Sequence, residues 1–178
     1  MNSKDFINWC KNQHDVVCNQ KYNDTLPYSF HLDCVWKQAF KFQYLIPINS
    51  EKMRDELWFK VLCSAYGHDL YEDARVTFNQ VKDMVGEEVA EIIYLCTELR
   101  GRTRAQRKNT QFYMELKENK LAVFVKLCDI IANVKFSLLT NSSMYDKYKA
   151  EYVKIYDHLF TEEYKEMFDY LEALLKIN

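Results

Sequence analysis

Three glycines and two prolines in 178 residues leave this chain few ways to turn sharply. Glycine and proline are the residues that make tight turns cheap. A β-sandwich or barrel of this length would need a turn signal every ~8–12 residues. Long regular elements are the remaining option, and apolar residues recur at helical spacing almost throughout. Nearly half of the residues are apolar and 15% are aromatic, which is not a disordered composition. The length suits one compact domain with its own core. The expected fold is therefore all-α, a helical bundle with residues 1–178 as a single domain.

The apolar stripes predict a helix over residues 3–17, a polar loop over 19–27 and a second helix over 29–45. Pro47 and Asn49 break that helix. A third helix starts at Ser50 and ends near Gly67, with Leu57, Trp58, Val61, Leu62 and Ala65 as its apolar side. Helices follow over 74–84 and 87–99. A long one over 110–139 and two aromatic-rich ones over 144–159 and 161–176 complete the series. No internal repeat, low-complexity tract or linker interrupts it.

A net charge of −2 gives no field that would demand nucleic acid. The six cysteines, at 10, 18, 34, 63, 96 and 128, never fall into a CxxC pair. They read as reduced core thiols of a cytoplasmic protein. No signal peptide is visible, and no apolar run reaches the roughly 20 residues that span a bilayer.

Chemistry concentrates at Gly67-His68-Asp69-Leu70-Tyr71-Glu72-Asp73. An imidazole and a carboxylate stand side by side, with two more carboxylates within one helical turn. Such a cluster is worth burying only if a cation or a substrate proton compensates it. His14-Asp15 is a second pair of the same kind, but it has no acidic follow-on and reads as a decoy. Asp129 sits inside the otherwise apolar stretch 125–134 and needs a partner there. Lys126 is three residues before it and Asn133 four after, on the same helical face. His31 opens the second helix. Two imidazoles and two carboxylates make a mixed nitrogen and oxygen ligand set, suited to Mn, Fe, Zn or Ni and leaving positions for water and substrate. His14 and His158 are expected to be dispensable for metal. Arg100, Arg102, Arg104, Arg107 and Lys108 form a basic run that reads as a phosphate grip, against the alternatives of a solvated basic face or an RNA-binding patch.

In chain order, Pro27-Tyr28-Ser29-Phe30-His31, Gly67 to Asp73, and Val125-Lys126-Leu127-Cys128-Asp129-Ile130-Ile131-Ala132-Asn133 resemble the successive motifs of the HD-superfamily alarmone hydrolases. These are the hydrolase domains of the RelA/SpoT homologues and their small single-domain relatives. Their pattern reads roughly PYxxH, HDxxED and KLADxxxN, and the likeness spans about residues 6–160. It implies an HD-type helical bundle that holds one Mn2+ through His31, His68, Asp69 and Asp129. It implies that Glu72 and Asp73 position and deprotonate the attacking water. It implies that Lys21, Arg107 and Lys108 contact the nucleotide and its phosphates, with Asn133 beside the nucleoside. The implied reaction removes pyrophosphate from the 3′ position of (p)ppGpp-like nucleotides. The chain departs from the pattern at Cys128 (the family has Ala), at Leu32 (commonly Pro), and over residues 20–26, where Gln20-Lys21-Tyr22 replaces an Arg-rich run. Base specificity therefore stays open. NADPH or an adenosine analogue is an alternative substrate, and a non-catalytic nucleotide-binding domain is the alternative class. The expected partner is a small-molecule nucleotide, without membrane or nucleic acid. The oligomeric state is not read from the sequence.

Overall fold

The computed structural model describes residues 2–47, 50–98 and 100–177. Almost every regular element is a helix, as the shortage of turn residues requires. Helix α1 (Ser3–Asn12) runs on into a π-helical turn, Gln13–Val17. A two-stranded ribbon follows, β1 (Lys21–Tyr22) against β2 (Leu26–Pro27), where a loop was expected. Helix α2 (Ser29–Lys41) and a 3-10 turn (Gln43–Leu45) match the second expected helix. Helix α3 (Glu51–Gly67) starts at Ser50, whose side chain accepts from the Met53 N–H. Asn49 and Leu99 lie outside the described residues.

The expected helix over 74–84 is corrected. Residues Leu70–Asp73 form a short helix α4, and α5 begins only at Phe78 and runs to Val85. Arg75 takes a left-handed φ of 56°, and Thr77 with Gln80 forms a capping box that starts α5. Helix α6 (Glu87–Cys96) and the single turn α7 (Arg104–Arg107) follow.

The expected helix over 110–139 is also corrected, into α8 (Thr110–Lys117) and α9 (Lys120–Thr140). Asn119 divides them. Its side chain accepts from the Leu121 and Ala122 N–H groups, so it caps α9 instead of continuing α8. Helices α10 (Met144–Leu159) and α11 (Lys165–Leu175) close the chain.

Helix α9 is apolar on nearly all sides and is the buried axis of the fold. The larger core gathers around it, with Val35, Ala39, Phe112, Leu116, Phe124, Leu127, Ile131 and Phe168 among its members. A second core joins α1, α3, α5 and α6 through Phe6, Cys10, Leu32, Cys63, Leu70, Val81 and Ile93. Helix α2 has one side in each core, and the candidate site lies where they meet. All six cysteines are free thiols. No helix among the described residues is long and apolar enough to cross a membrane.

Candidate active site

Three helices deliver the candidate ligands. His31 lies in the first turn of α2, His68 and Asp69 follow the end of α3, and Asp129 is midway along α9. Gly67 is still helical, so its role is space: a Cβ there would sit 2.5 Å from Ile93 Cδ1. That close approach of α6 leaves little room for a side chain at the last residue of α3, beside His68.

The donor atoms converge. His31 Nε2 lies 3.3 Å from His68 Nε2, 3.2 Å from Asp129 Oδ1 and 3.6 Å from Asp69 Oδ2. His68 Nε2 lies 2.9 Å from Asp69 Oδ2 and 3.6 Å from Asp129 Oδ1. One ligand atom each from His31, His68 and Asp69 lies within 4.8 Å of the others. His68 Nδ1 meets the Ala65 carbonyl at 2.9 Å, so it carries a proton and leaves Nε2 facing the cluster. Burial alone would lower the His68 pKa, but Asp69 and Asp129 push it up to about 10. Asp129 is held well below the carboxylate range, against its burial, by Lys126, His31 and His68. The donor set attracts positive charge strongly. Two facing imidazole nitrogens with two ionised carboxylates fit a divalent transition metal better than an all-oxygen cation site would.

Each expected neighbour of Asp129 touches it. Lys126 Nζ is 3.1 Å from Oδ2, and Asn133 Nδ2 donates to Oδ1 at 2.6 Å. Asn133 also accepts from Tyr22 Oη at 2.9 Å, and the Tyr22 ring stacks on His31 with centroids 4.9 Å apart. Asn133 thus spends its amide on orienting a ligand, although it still faces the cleft.

Above the cluster lies a shallow cleft of ≈130 Å³, lined by Tyr28, Glu72, Asp73, Glu98, Lys108, Lys126, Asn133 and Tyr148 together with ligand residues. Whole-ligand pockets for drug-sized molecules run to about 300–1,000 Å³. This cleft is smaller than that and has room for a small polar group such as a phosphate. Glu72 is on the rim, and its carboxyl is pushed up to about 7, first by partial burial and then by Glu98. Asp73 is raised by burial and by Asp69, while hydrogen bonds from Gln20 and Tyr28 pull it back.

The basic run divides. Arg107 Nε meets Glu98 at 3.0 Å, and Lys108 Nζ meets Glu98 at 3.1 Å and Glu151 at 3.9 Å. Arg104 pairs with Glu151 at 2.6 Å and lies over the Tyr148 ring. Lys108 lines the cleft, whereas Arg100 lines a separate cavity and Arg102 is exposed. Lys21 is exposed on β1 and is not among the cleft residues. Sequence reasoning missed Glu98, Tyr148, Gln20 and Tyr28 as site residues. Tyr28 carried a signal, three residues before His31 at a helix start. Tyr148 had none, because its partner Arg104 is distant in sequence, and Glu98 was passed over although Arg107 and Lys108 follow it by nine and ten residues.

No protein-family model and no curated protein matches the chain. A solved structure matches in shape, a metazoan orthologue of SpoT described as hydrolysing ppGpp and playing a role in starvation responses. The two chains are 18% identical with a TM-score of 0.70, over 96% of this chain and 93% of that one. The chain shares the all-α helical fold of that protein. At this identity the likeness establishes the fold and nothing finer.

Proposed function

We propose that this chain is a cytoplasmic, metal-dependent hydrolase that removes pyrophosphate from the 3′ position of alarmone-type nucleotides such as (p)ppGpp. One Mn2+ held by His31, His68, Asp69 and Asp129 is the expected cofactor. When bound, it would supply Lewis acidity, lower the pKa of water and neutralise phosphate charge. The observation that carries the reading is the convergence of both Nε2 atoms and both carboxylates at the floor of a cleft with acids and lysines on its walls.

The remaining steps fall to this chain's own groups. Glu72 is the general base: near neutral pH its carboxyl is poised to accept a proton from the attacking water, a role worth roughly 10²–10⁴-fold in rate. Asp73, held by two hydrogen bonds, orients that water. Water attacks the phosphorus bonded to the 3′ oxygen, the P–O3′ bond breaks, and the proton taken by Glu72 passes to the 3′ oxygen, so the 3′ hydroxyl and intact pyrophosphate leave. Lys126 is charged and fixed, raised well above its ordinary range by Asp129 and Asp69 despite burial. Lys108 and Arg107 grip the outer phosphates after exchanging Glu98 for substrate oxygens. Lys21 and Asn133 are the residues assigned to the nucleoside side of the substrate: Lys21 is exposed on β1, and Asn133 acts from the cleft wall.

The fold shared with a protein described as hydrolysing ppGpp makes guanosine 3′,5′-bispyrophosphate the first substrate to test. The test is a substrate panel with Mn2+-loaded protein and chromatography of the products. Pyrophosphate with the 3′-hydroxyl nucleotide is expected. Orthophosphate as the first product points to a nucleotide phosphatase, for which NADPH belongs in the panel. Binding without turnover of any nucleotide points to a non-catalytic domain. Glu72→Gln and Asp73→Asn should keep metal and nucleotide binding but turn over poorly.

A further inference from the structure

His14 is fully buried and 54 residues from His68 in sequence, yet it stands behind the catalytic rim. Its ring stacks on Tyr28, with centroids 4.7 Å apart and an interplanar angle of 22°. Its Nδ1 lies 2.6 Å from Gln20 Oε1, and Gln20 Nε2 donates to Asp73 Oδ2 at 2.9 Å. The same Asp73 oxygen accepts from Tyr28 Oη at 3.2 Å, and Tyr28 Oη also reaches Asp69 Oδ2 at 2.5 Å. The Gln20 N–H donates to the His14 carbonyl at 2.8 Å, so backbone and side chain tie the two residues together.

The chemistry of this chain of contacts has one direction. An ionised Asp73 can only accept, so Gln20 must present its NH2 to it. Gln20 Oε1 therefore faces His14, and His14 Nδ1 must be the protonated nitrogen. Nε2 is left as a bare, buried acceptor, and among the described residues it has no hydrogen-bond partner. Burial also lowers the His14 pKa, which keeps the ring neutral. The π-helical turn Gln13–Val17 creates the geometry. Such widened turns cluster at functional sites. The chain leaves it through Asn19 at a left-handed φ of 46°, and Gln20 then turns back over His14.

We propose that His14 and Gln20 are a positioning pair for Asp73. The neutral His14 fixes which end of the Gln20 amide faces the catalytic rim, and the Gln20 side-chain Nε2–H holds the Asp73 carboxylate in line with the attacking water. The role given to Asp73 rests on the hydrolase reading above; the contacts do not.

The test uses the full chain loaded with Mn2+ and guanosine 3′,5′-bispyrophosphate. Gln20→Glu is nearly isosteric and still accepts from His14, but it sets a carboxylate against Asp73. Gln20→Ala removes both contacts. Positioning predicts that Glu is the worse variant, with kcat down about 10-fold or more and KM and metal content unchanged. A packing role predicts the reverse order, and wild-type kcat in both variants overturns the proposal. A second measurement needs no activity. Two-bond proton–nitrogen NMR at pH 7 should find His14 as the neutral Nδ1–H tautomer, and Gln20→Ala should abolish that preference. An Nε2–H tautomer in the wild type overturns the pair even if the enzyme is active. Failure to turn over any nucleotide sinks the hydrolase reading, while the tautomer and its dependence on Gln20 still decide whether the pair exists.

Discussion

Two His-Asp pairs occur in this chain, and the fold uses them in opposite ways. His68-Asp69 follows α3 at the close approach of α6, with the buried His68 Nε2 against the Asp69 carboxylate, which lines the cleft. His14-Asp15 lies in a π-helical turn. There Asp15 Oδ1 accepts from the Ser29 N–H at the start of α2, and His14 supports Gln20. One pair supplies donors to the site. The other holds the helix that carries His31 and the glutamine that holds Asp73. An identical dipeptide has no fixed chemistry; its neighbours decide whether its lone pairs face a cation or the protein's own amides.

The largest expected contrast is in metal and turnover. His68→Ala should drop bound metal from one ion per chain to near zero and reduce turnover by at least about 10³-fold, as for loss of a group on which the whole site depends. His14→Gln should keep the metal. Elemental analysis of the two variants checks this, and metal loss from the His14 variant breaks the distinction.

Backbone space at the first pair comes next. Gly67→Ala drives a Cβ against Cδ1 and Cγ1 of Ile93, a fully buried residue. Overpacking of this kind costs about 1–3 kcal/mol, or roughly 3–10 °C in Tm for a domain of this size. Ile93→Val removes the clashing Cδ1 and should recover part of the loss. A Gly67→Ala protein with unchanged Tm would mean that the α3–α6 approach leaves room for a side chain beside His68.

Asp15→Ala should cost about 1 kcal/mol through the lost cap on α2, seen as a lower denaturant midpoint, with metal content unchanged. A metal defect in that variant would place the second pair closer to the ligand set than its geometry does.

The smallest effect is in the pH profile. Glu72 acts ionised, so kcat should rise with pH through about 7 and fall as the carboxyl protonates below it. The groups facing Glu72 are Glu98, Asp69 and Asp73, which raise it, and Lys126, which lowers it. Glu98→Gln removes one negative neighbour and frees Arg107 and Lys108, and both changes favour ionised Glu72. The acid limb should move down by roughly 0.5 unit, the scale of one screened charge. An upward shift, or none, separates Glu72 from that limb.

The floor of the site was legible in the sequence because ligands must be particular residue types. Asp129 announced itself as a charge in an apolar helix, and both of its neighbours on that face, Lys126 and Asn133, do touch it. The all-α fold was legible from the scarcity of turn residues. The helix boundaries at 77 and 119 were missed because capping side chains there outweigh continuous apolar spacing. The rim was opaque for another reason. Arg107 and Lys108 find Glu98 and Glu151, and the latter comes from a helix about 45 residues on. Only the tertiary fold brings such pairs together. The contact of His14 with Gln20 was not read from the sequence, because a π-turn shifts the phase of a helical face by one residue, which 3.6-residue spacing does not reveal.

The central claim is that one metal ion in the His31, His68, Asp69 and Asp129 set makes this chain a nucleotide hydrolase. The most direct measurement is a titration of chelator-stripped protein with Mn2+, following pyrophosphate release from guanosine 3′,5′-bispyrophosphate. Activity should rise from near zero and saturate at one equivalent per chain, and Asp129→Ala should not respond at any equivalent. Full turnover by the stripped protein, or wild-type saturation in Asp129→Ala, would contradict the account.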